Sequence, residues 1–296
     1  MNILLCGASG FIGQHIMQAL TLAGHRVVAG RSQAPAHDDG TSVAVNFNED
    51  TSAAIWLPRL QGIDAVINAV GVLRDSKQRP IQAIHADTPK ALFDACAQAG
   101  VRRVIHISAL GIEGSQTRYA QTKLAADAHL LRLNEQGQLD GVILRPSIVF
   151  GKQGDSSRLF MALSQSPALL MPRPVSQAKV QPMAVQDLAQ AVVRLLSEAL
   201  EVKGIVPCVG PAALTLSAFI ASLRAQQGKS PARVLPLPDG LTRWSARVGD
   251  HIPGLPWCSE SLAMLAQDNT APHPLFSAVL GRAPVATTAF LRTSWT

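Results

Sequence analysis

A doubly wound parallel α/β sheet with a small, mostly helical C-terminal lobe is the fold this sequence predicts, on three observations. Met1–Cys6 reads as a buried strand running into Gly7-Ala8-Ser9-Gly10-Phe11-Ile12-Gly13, followed by an amphipathic helix with Ile16, Leu20 and Leu22. Strand and helix patterns then alternate through the first half of the chain, as parallel sheets covered by helices require. Beyond Gly151 the alternation loosens and prolines cluster at Pro167, Pro172, Pro174 and Pro182.

In order, His25–Ala29 reads as a second strand, Ser42–Phe47 as a third and Asp50–Leu60 as helical. Asp64–Val70 is a fourth strand, and Thr88–Ala99 a helix stopped by Gly100, the residue best able to turn a helix end into left-handed backbone. Val104–Ser108, the helix Arg118–Leu133 and the strand Gly141–Leu144 complete the series. Val185–Leu196 returns as a clear helix. From Ile205 short helices and proline turns dominate. The domain expectation is a nucleotide-binding domain over 1–150, rejoined by about 181–204, with 151–180 and 205–296 forming a substrate-covering lobe.

Composition narrows the function classes. With 47% hydrophobic and 16% charged residues over 296 positions, the chain has a sizeable core and is not a disordered protein. Its net charge of +6 is dispersed, and a single tyrosine leaves little aromatic–basic interleaving, which argues against nucleic acid. Cys6, Cys96, Cys208 and Cys258 show no metal or redox spacing, so reduced structural thiols and no metal site are expected. Gly204–Leu223 lacks formal charge, but Pro207, Gly210 and Pro211 divide it into strand, turn and helix, so no transmembrane segment is expected. Met1–Cys6 reads as a strand and not a signal peptide, and with reduced thiols a cytoplasmic location is expected.

The glycine turn carries the chemistry. Spaced glycines between a strand and a helix let backbone approach a pyrophosphate, and the helix N-terminus supplies free N–H groups. At a glycine frequency of about 7%, three at fixed offsets arise by chance roughly once in a few thousand windows. Gly7, Ser9, Gly10, Phe11, Ile12 and Gly13 are therefore candidate dinucleotide contacts. The second strand runs on into Arg31-Ser32, with no carboxylate before Asp38. A guanidinium and a hydroxyl there suit a 2′-phosphate, so NADP(H) is expected over NAD(H). Tyr119 and Lys123 stand four residues apart, on one helix face, and Ser108 ends the preceding strand.

These motifs together resemble the short-chain dehydrogenase/reductase superfamily in its extended and atypical branches, over roughly Met1–Leu196. The G-x-x-G-x-x-G turn, Asn68-Ala69-Val70-Gly71, Leu144-Arg145-Pro146-Ser147 with Val149-Phe150-Gly151, and Val180–Ala189 carry the likeness. It implies a Rossmann domain in which Asn68, Ala69, Val70 and Gly71 line the adenosine side and Pro146 and Ser147 lie beside the nicotinamide. It also implies that Tyr119 exchanges a proton with substrate, Ser108 hydrogen-bonds the same oxygen, and Lys123 lowers the phenol pKa and holds the nicotinamide ribose. Asp187 would cap a helix. The chain departs from the pattern at His85, where an Asn is usual, and at Asn46, where an Asp often meets adenine. No Thr-Asp-Glu follows the fifth strand, which argues against sugar-nucleotide dehydration.

The closest resemblance is to the atypical group containing the NADPH-binding accessory subunit of respiratory complex I and its bacterial relatives. Two readings follow. One is an NADP(H)-dependent oxidoreductase acting on a small apolar carbonyl or alcohol, seated against a greasy region around Met161, Leu169, Leu170 and Met171. The alternative is a non-catalytic NADPH-binding assembly or redox-sensing protein. A monomer or homodimer, and a peripheral position at the inner membrane surface, stay open at this stage.

Overall fold

The computed structural model describes residues 1–32, 40–197, 200–252, 257 and 259–295. Asp38 and Cys258 lie outside the described residues. The chain forms two compact units, one of residues 1–145 and 188–206, the other of 146–187 and 207–296.

The first unit opens with β1 (Asn2–Cys6), α1 (Phe11–Leu22), β2 (Arg26–Arg31), β3 (Ser42–Ala44) and α2 (Ala53–Trp56), which tightens into a 3-10 turn over Leu57–Leu60. β4 (Ala65–Asn68) leads to a π-helical turn at Ala83–Asp87 that runs into α3 (Thr88–Ala99). β5 (Arg103–Ile107), α4 (Arg118–Glu135) and β6 (Asp140–Pro146) follow. Gly100 ends α3 at φ 74°, the left-handed stop expected of it.

The second segment contributes β7 (Val149–Phe150), α5 (Asp155–Leu163), β8 (Ala168–Pro172), α6 (Arg173–Gln177), β9 (Lys179–Val180) and β10 (Met183–Ala184). α7 (Val185–Leu195) and β11 (Gly204–Cys208) then lead the chain through the first unit and out again. β12 (Leu214–Thr215), α8 (Leu216–Ala225), β13 (Arg233–Leu237) and the helices α9 (Asp239–Asp250), α10 (Ser259–Leu265), α11 (Pro274–Leu280) and α12 (Phe290–Thr293) complete it.

Seven strands form one sheet in the order β11-β6-β5-β4-β1-β2-β3, with β1 to β6 parallel. Leu4, Cys6, Val66, Val104 and Ile143 turn inward along these strands onto Trp56, Leu92 and Phe93, which is why the strands read as near-continuous apolar runs. The chain winds outward from β1 to β3, returns to β4, and winds outward the other way. That reversal places a crevice between the carboxyl ends of β1 and β4, where ligands of open α/β sheets bind.

In the second unit Phe150, Phe160, Phe219 and Phe290 pack ring against ring. The apolar run 160–171, readable as a pocket wall or more simply as core, supplies this core: Phe160, Leu169 and Met171 are buried in it and Met161 packs against it. Leu170 alternates to the outside and is 64% exposed. Asp187 does not cap a helix in the expected manner. Its carboxylate accepts from the Val285 N–H at 2.7 Å and from Arg282 at 2.5 Å, holding the turn before α12. No helix among the described residues is long and apolar enough to cross a membrane.

The turn after β1 is the tightest contact of the fold. A Cβ on Gly13 would stand 2.0 Å from the Gly7 carbonyl oxygen, and one on Gly10 3.3 Å from the same atom. Gly13→Ala therefore lowers stability by about 3 kcal/mol, while Gly10→Ala stays within about 1 kcal/mol. Urea titration of the two variants checks this; equal losses would mean that the close approach is not the constraint.

Candidate functional site

β1 ends in Gly7 at φ 84°, conformation that suits glycine, and the Gly7 carbonyl accepts from Gly10 N–H at 3.0 Å. Gly10 is the N-cap of α1 in extended backbone, and no side chain caps the helix, so its first N–H groups face the crevice end of β1. Ser9 is exposed, and Phe11 and Ile12 half-buried, on the same turn. Across the crevice, a Cβ on Gly7 would meet Ala69 backbone at 2.9 Å, which joins the glycine turn to the loop after β4. This is a cradle of backbone that side chains would fill, together with free N–H donors, and it fits the pyrophosphate of a dinucleotide.

Arg31 ends β2 next to this crevice, exposed like Ser32. Asn46 is turned inward on its own loop: its Oδ1 accepts from Asn48 N–H at 3.1 Å and its Nδ2 donates to Glu49 at 3.0 Å. These two bonds use one of the two Nδ2 hydrogens and one of the two Oδ1 lone pairs, so they do not preclude an adenine contact. Asn68 is fully buried, and its Oδ1 accepts from Val70 N–H at 3.1 Å, fixing the loop Ala69–Gly71. Pro146 and Ser147 belong to the second unit, where the Ser147 hydroxyl donates to the Asn269 carbonyl at 3.1 Å.

α4 presents Tyr119, Lys123 and Asp127 at i, i+4 and i+8 on one face. Its N-cap is Thr117, whose hydroxyl accepts from Ala120 N–H at 3.2 Å. Lys123 is 3% exposed and its Nζ donates to the Ile107 carbonyl at 3.0 Å, the last residue of β5. A Cβ on Gly71 would lie 3.5 Å from the same Nζ, so Lys123 lies beside the loop after β4. Burial brings the ammonium down to about 8.

His85 sits in the π-helical turn, a distortion common near functional sites. Its Nε2 accepts from Val72 N–H at 3.0 Å, so the ring hydrogen is on Nδ1, 3.3 Å from the Thr122 hydroxyl. The ring meets Tyr119 edge to face at 5.2 Å. His85 therefore ties the cofactor-side loop to the turn of α4 that carries Tyr119, and stays neutral because burial and Lys123 lower its pKa to about 3.

Burial, with the Asp127 carboxylate adding to it, pushes the Tyr119 phenol up to about 12. Ser108 does not hold its hydroxyl hydrogen free for a substrate oxygen. Its Oγ donates to Asp127 Oδ2 at 2.9 Å, and the same oxygen accepts from Arg145 Nε at 2.9 Å. Arg145 in turn donates to Glu113 at 2.6 Å. Asp127, Arg145 and His106 were not among the expected site residues; the helical spacing from Tyr119 through Lys123 to Asp127 was the available signal. Cys6, Cys96 and Cys208 are buried thiols outside any disulfide. A concavity of about 610 Å³ lined by Asp94, Gln98, Arg102 and Gln138 sits at the amino ends of β5 and β6, the opposite edge of the sheet from this constellation.

Residues 3–206 match the sequence profile of the NAD dependent epimerase/dehydratase family. The chain belongs to that family. Among curated relatives, a ceramide reductase of Caulobacter vibrioides is 27% identical over 171 residues, covering 56% of this chain and 52% of its own length. Subunit 9 of the NADH dehydrogenase (ubiquinone) 1 alpha subcomplex from Arabidopsis thaliana is 26% identical, covering 65% of this chain and 49% of its own length. The chain thus spans about half the length of these relatives. A dTDP-6-deoxy-L-talose 4-dehydrogenase (NAD(P)+) of Kitasatospora kifunensis is 26% identical over 82% of this chain and 86% of its own length. Two solved structures share the fold. A UDP-glucuronic acid 4-epimerase of Bacillus cereus with NAD superposes at TM-score 0.71, 20% identity, over 100% of this chain and 98% of that one. An NADPH-dependent quinone oxidoreductase of Escherichia coli with NADPH superposes at 0.73, 16% identity, over 99% and 100%. Family membership carries the epimerase/dehydratase fold and NAD(P) as the family's cofactor class; it fixes no substrate.

Because the folded state keeps His85 neutral to about pH 3 while the unfolded chain protonates it near 6.5, the unfolded state binds more protons in between. Stability contributed at higher pH is lost as pH falls from about 6.5 toward 3. His85→Asn removes up to about 1.4 kcal/mol per pH unit of that slope. Urea melts at pH 6.5, 5.5 and 4.5 read it, and an unchanged slope would mean that His85 titrates as in the unfolded chain.

Proposed function

We propose that this family member is an NADP(H)-preferring oxidoreductase that reduces an apolar carbonyl or related substrate, with Tyr119 as the proton donor. The observation that carries the reading is the pairing of Tyr119 with Lys123 on one face of α4, with Lys123 buried against the carboxyl end of β5 and beside Gly71. The bound cofactor supplies a hydride at its nicotinamide ring. Gly7, Gly10 and Gly13 would leave room for the pyrophosphate, Arg31 and Ser32 would hold the 2′-phosphate, and Lys123 would bind the ribose. Tyr119, protonated at neutral pH, gives its proton to the substrate oxygen. The substrate class is supported by relatives whose names describe a ceramide reductase and a 3-beta-hydroxysteroid dehydrogenase, both acting on apolar molecules.

A second reading, an NADPH-holding protein without turnover, is favoured by Ser108, whose hydrogen is engaged by Asp127, and by the complex I subunit relatives. Paired titrations with NADPH and NADH, then turnover on a panel of ketones and quinones, separate the two. Tyr119→Phe is expected to bind NADPH within about twofold of wild type and to lose at least about 100-fold in kcat; full turnover in this variant removes Tyr119 from the chemistry. Arg31→Ala is expected to lower the preference for NADPH over NADH about tenfold or more, the effect of losing one charge-assisted bond. An unchanged ratio would leave Arg31 a solvated surface residue.

A further inference from the structure

Beneath Tyr119 and Lys123 lies a line of buried polar groups that the proposed proton transfer does not use. Each donor direction in it follows from one backbone amide. Val70 N–H donates to Asn68 Oδ1 at 3.1 Å, so the other end of that amide, Nδ2, is the donor to His106 Nδ1 at 3.2 Å. With Nδ1 accepting, the neutral His106 ring carries its hydrogen on Nε2. That nitrogen faces Asp127 Oδ1 at 3.7 Å, and neither atom has another hydrogen-bond partner. The far oxygen of Asp127 accepts from Ser108 and Arg145. His106 and Asp127 side chains are each 1% exposed, and Asn68 is wholly buried.

The line therefore runs across the carboxyl ends of β4, β5 and β6 with every donor pointing toward one carboxylate. A distance of 3.7 Å is too long for a hydrogen bond, so His106–Asp127 is the one open link. Opposed orphan atoms in a dry interior attract strongly, so a shift of under about 1 Å would close this link into a hydrogen bond. Ser108 lies at the far end, its hydrogen turned onto Asp127 Oδ2 and its lone pairs not used by that bond.

We propose that Asp127 is a positioning residue that couples the cofactor-side loop at Val70 to the orientation of the Ser108 hydroxyl, through Asn68 and His106. Ser108 is thereby held as a hydrogen-bond acceptor, suited to a bound N–H or O–H group and not to a substrate carbonyl oxygen. The coupling rests on the NADPH reading above; the donor directions do not.

The test combines a double-mutant cycle with a direct view of the ring. NADPH affinity is measured by nicotinamide fluorescence for wild type, Asp127→Asn, Asn68→Ala and the pair. Asp127→Asn weakens NADPH about fivefold although Asp127 lies three links from the loop, and adds little once Asn68 is alanine. Unchanged affinity in Asp127→Asn, or losses that simply multiply, overturn the coupling, because a merely structural carboxylate would act independently of Asn68. His106→Gln, which cuts the line at its centre, takes the place of Asp127→Asn if that variant does not fold. Nitrogen NMR of histidine-labelled wild type gives the second readout. The Nε2–H tautomer of His106 supports the line, and the Nδ1–H tautomer reverses its donors and overturns the proposal. If wild type binds no NADPH, the functional reading and the coupling to it both fail, while the tautomer still decides the donor directions and the acceptor role of Ser108.

Discussion

A carboxylate placed where water cannot reach it constrains the whole carboxyl edge of this sheet. Asp127 is buried between α4 and the ends of β5 and β6, at a cost of several kcal/mol unless its oxygens are partnered. Ser108, the residue after β5, and Arg145, on β6, both partner Oδ2, while Oδ1 faces only His106 at 3.7 Å. α4 cannot rotate or slide without stranding that charge. Tyr119 stands two helical turns away and Lys123 one, so their positions follow from where Asp127 must be. Lys123 Nζ on the Ile107 carbonyl adds a second pin on the same face. Arg145 carries the constraint outward to Glu113, on the loop that leads into α4.

The crevice on the other side of Lys123 depends on the opposite device, the removal of side chains. Gly7 and Gly13 pass so close that no Cβ fits, and Gly7 abuts Ala69 across the reversal of strand order. One half of the site is therefore defined by backbone that must stay bare, the other by buried polar groups that must stay paired. His85 spans the two, accepting from Val72 on the loop after β4 and leaning its ring edge on Tyr119. An asparagine could reproduce the hydrogen bond but not the ring contact, which gives the histidine at this position a physical reason.

What was legible in the sequence was local. The glycine turn, the helix Thr88–Ala99 with its Gly100 stop, and the Tyr119/Lys123 spacing each depend on residues within a few positions of one another. Asp127 escaped because its partners Ser108 and Arg145 are 19 and 18 residues away, a separation set by the winding of the sheet. His106 read as one more residue of a buried strand. The π-helical turn at Ala83–Asp87 has no composition signal of its own. The run 160–171 was ambiguous for another reason: an uncharged apolar stretch looks the same whether it lines a cleft or fills a core, and Phe160, Leu169 and Met171 fill one.

The raised phenol bears on the proposed chemistry. Bringing Tyr119 from about 12 to neutrality requires roughly 7 kcal/mol of preference for the phenolate, at about 1.4 kcal/mol per unit. A single added cation at about 4 Å in an effective dielectric near 20 contributes about 4 kcal/mol. Burial and the Asp127 carboxylate are what raise the phenol. Tyr119 is therefore held in its protonated form until a bound group supplies that preference. Neutralising Asp127 would remove one of the two influences that raise the phenol, and Ser108 and Arg145 both hold that carboxylate in place.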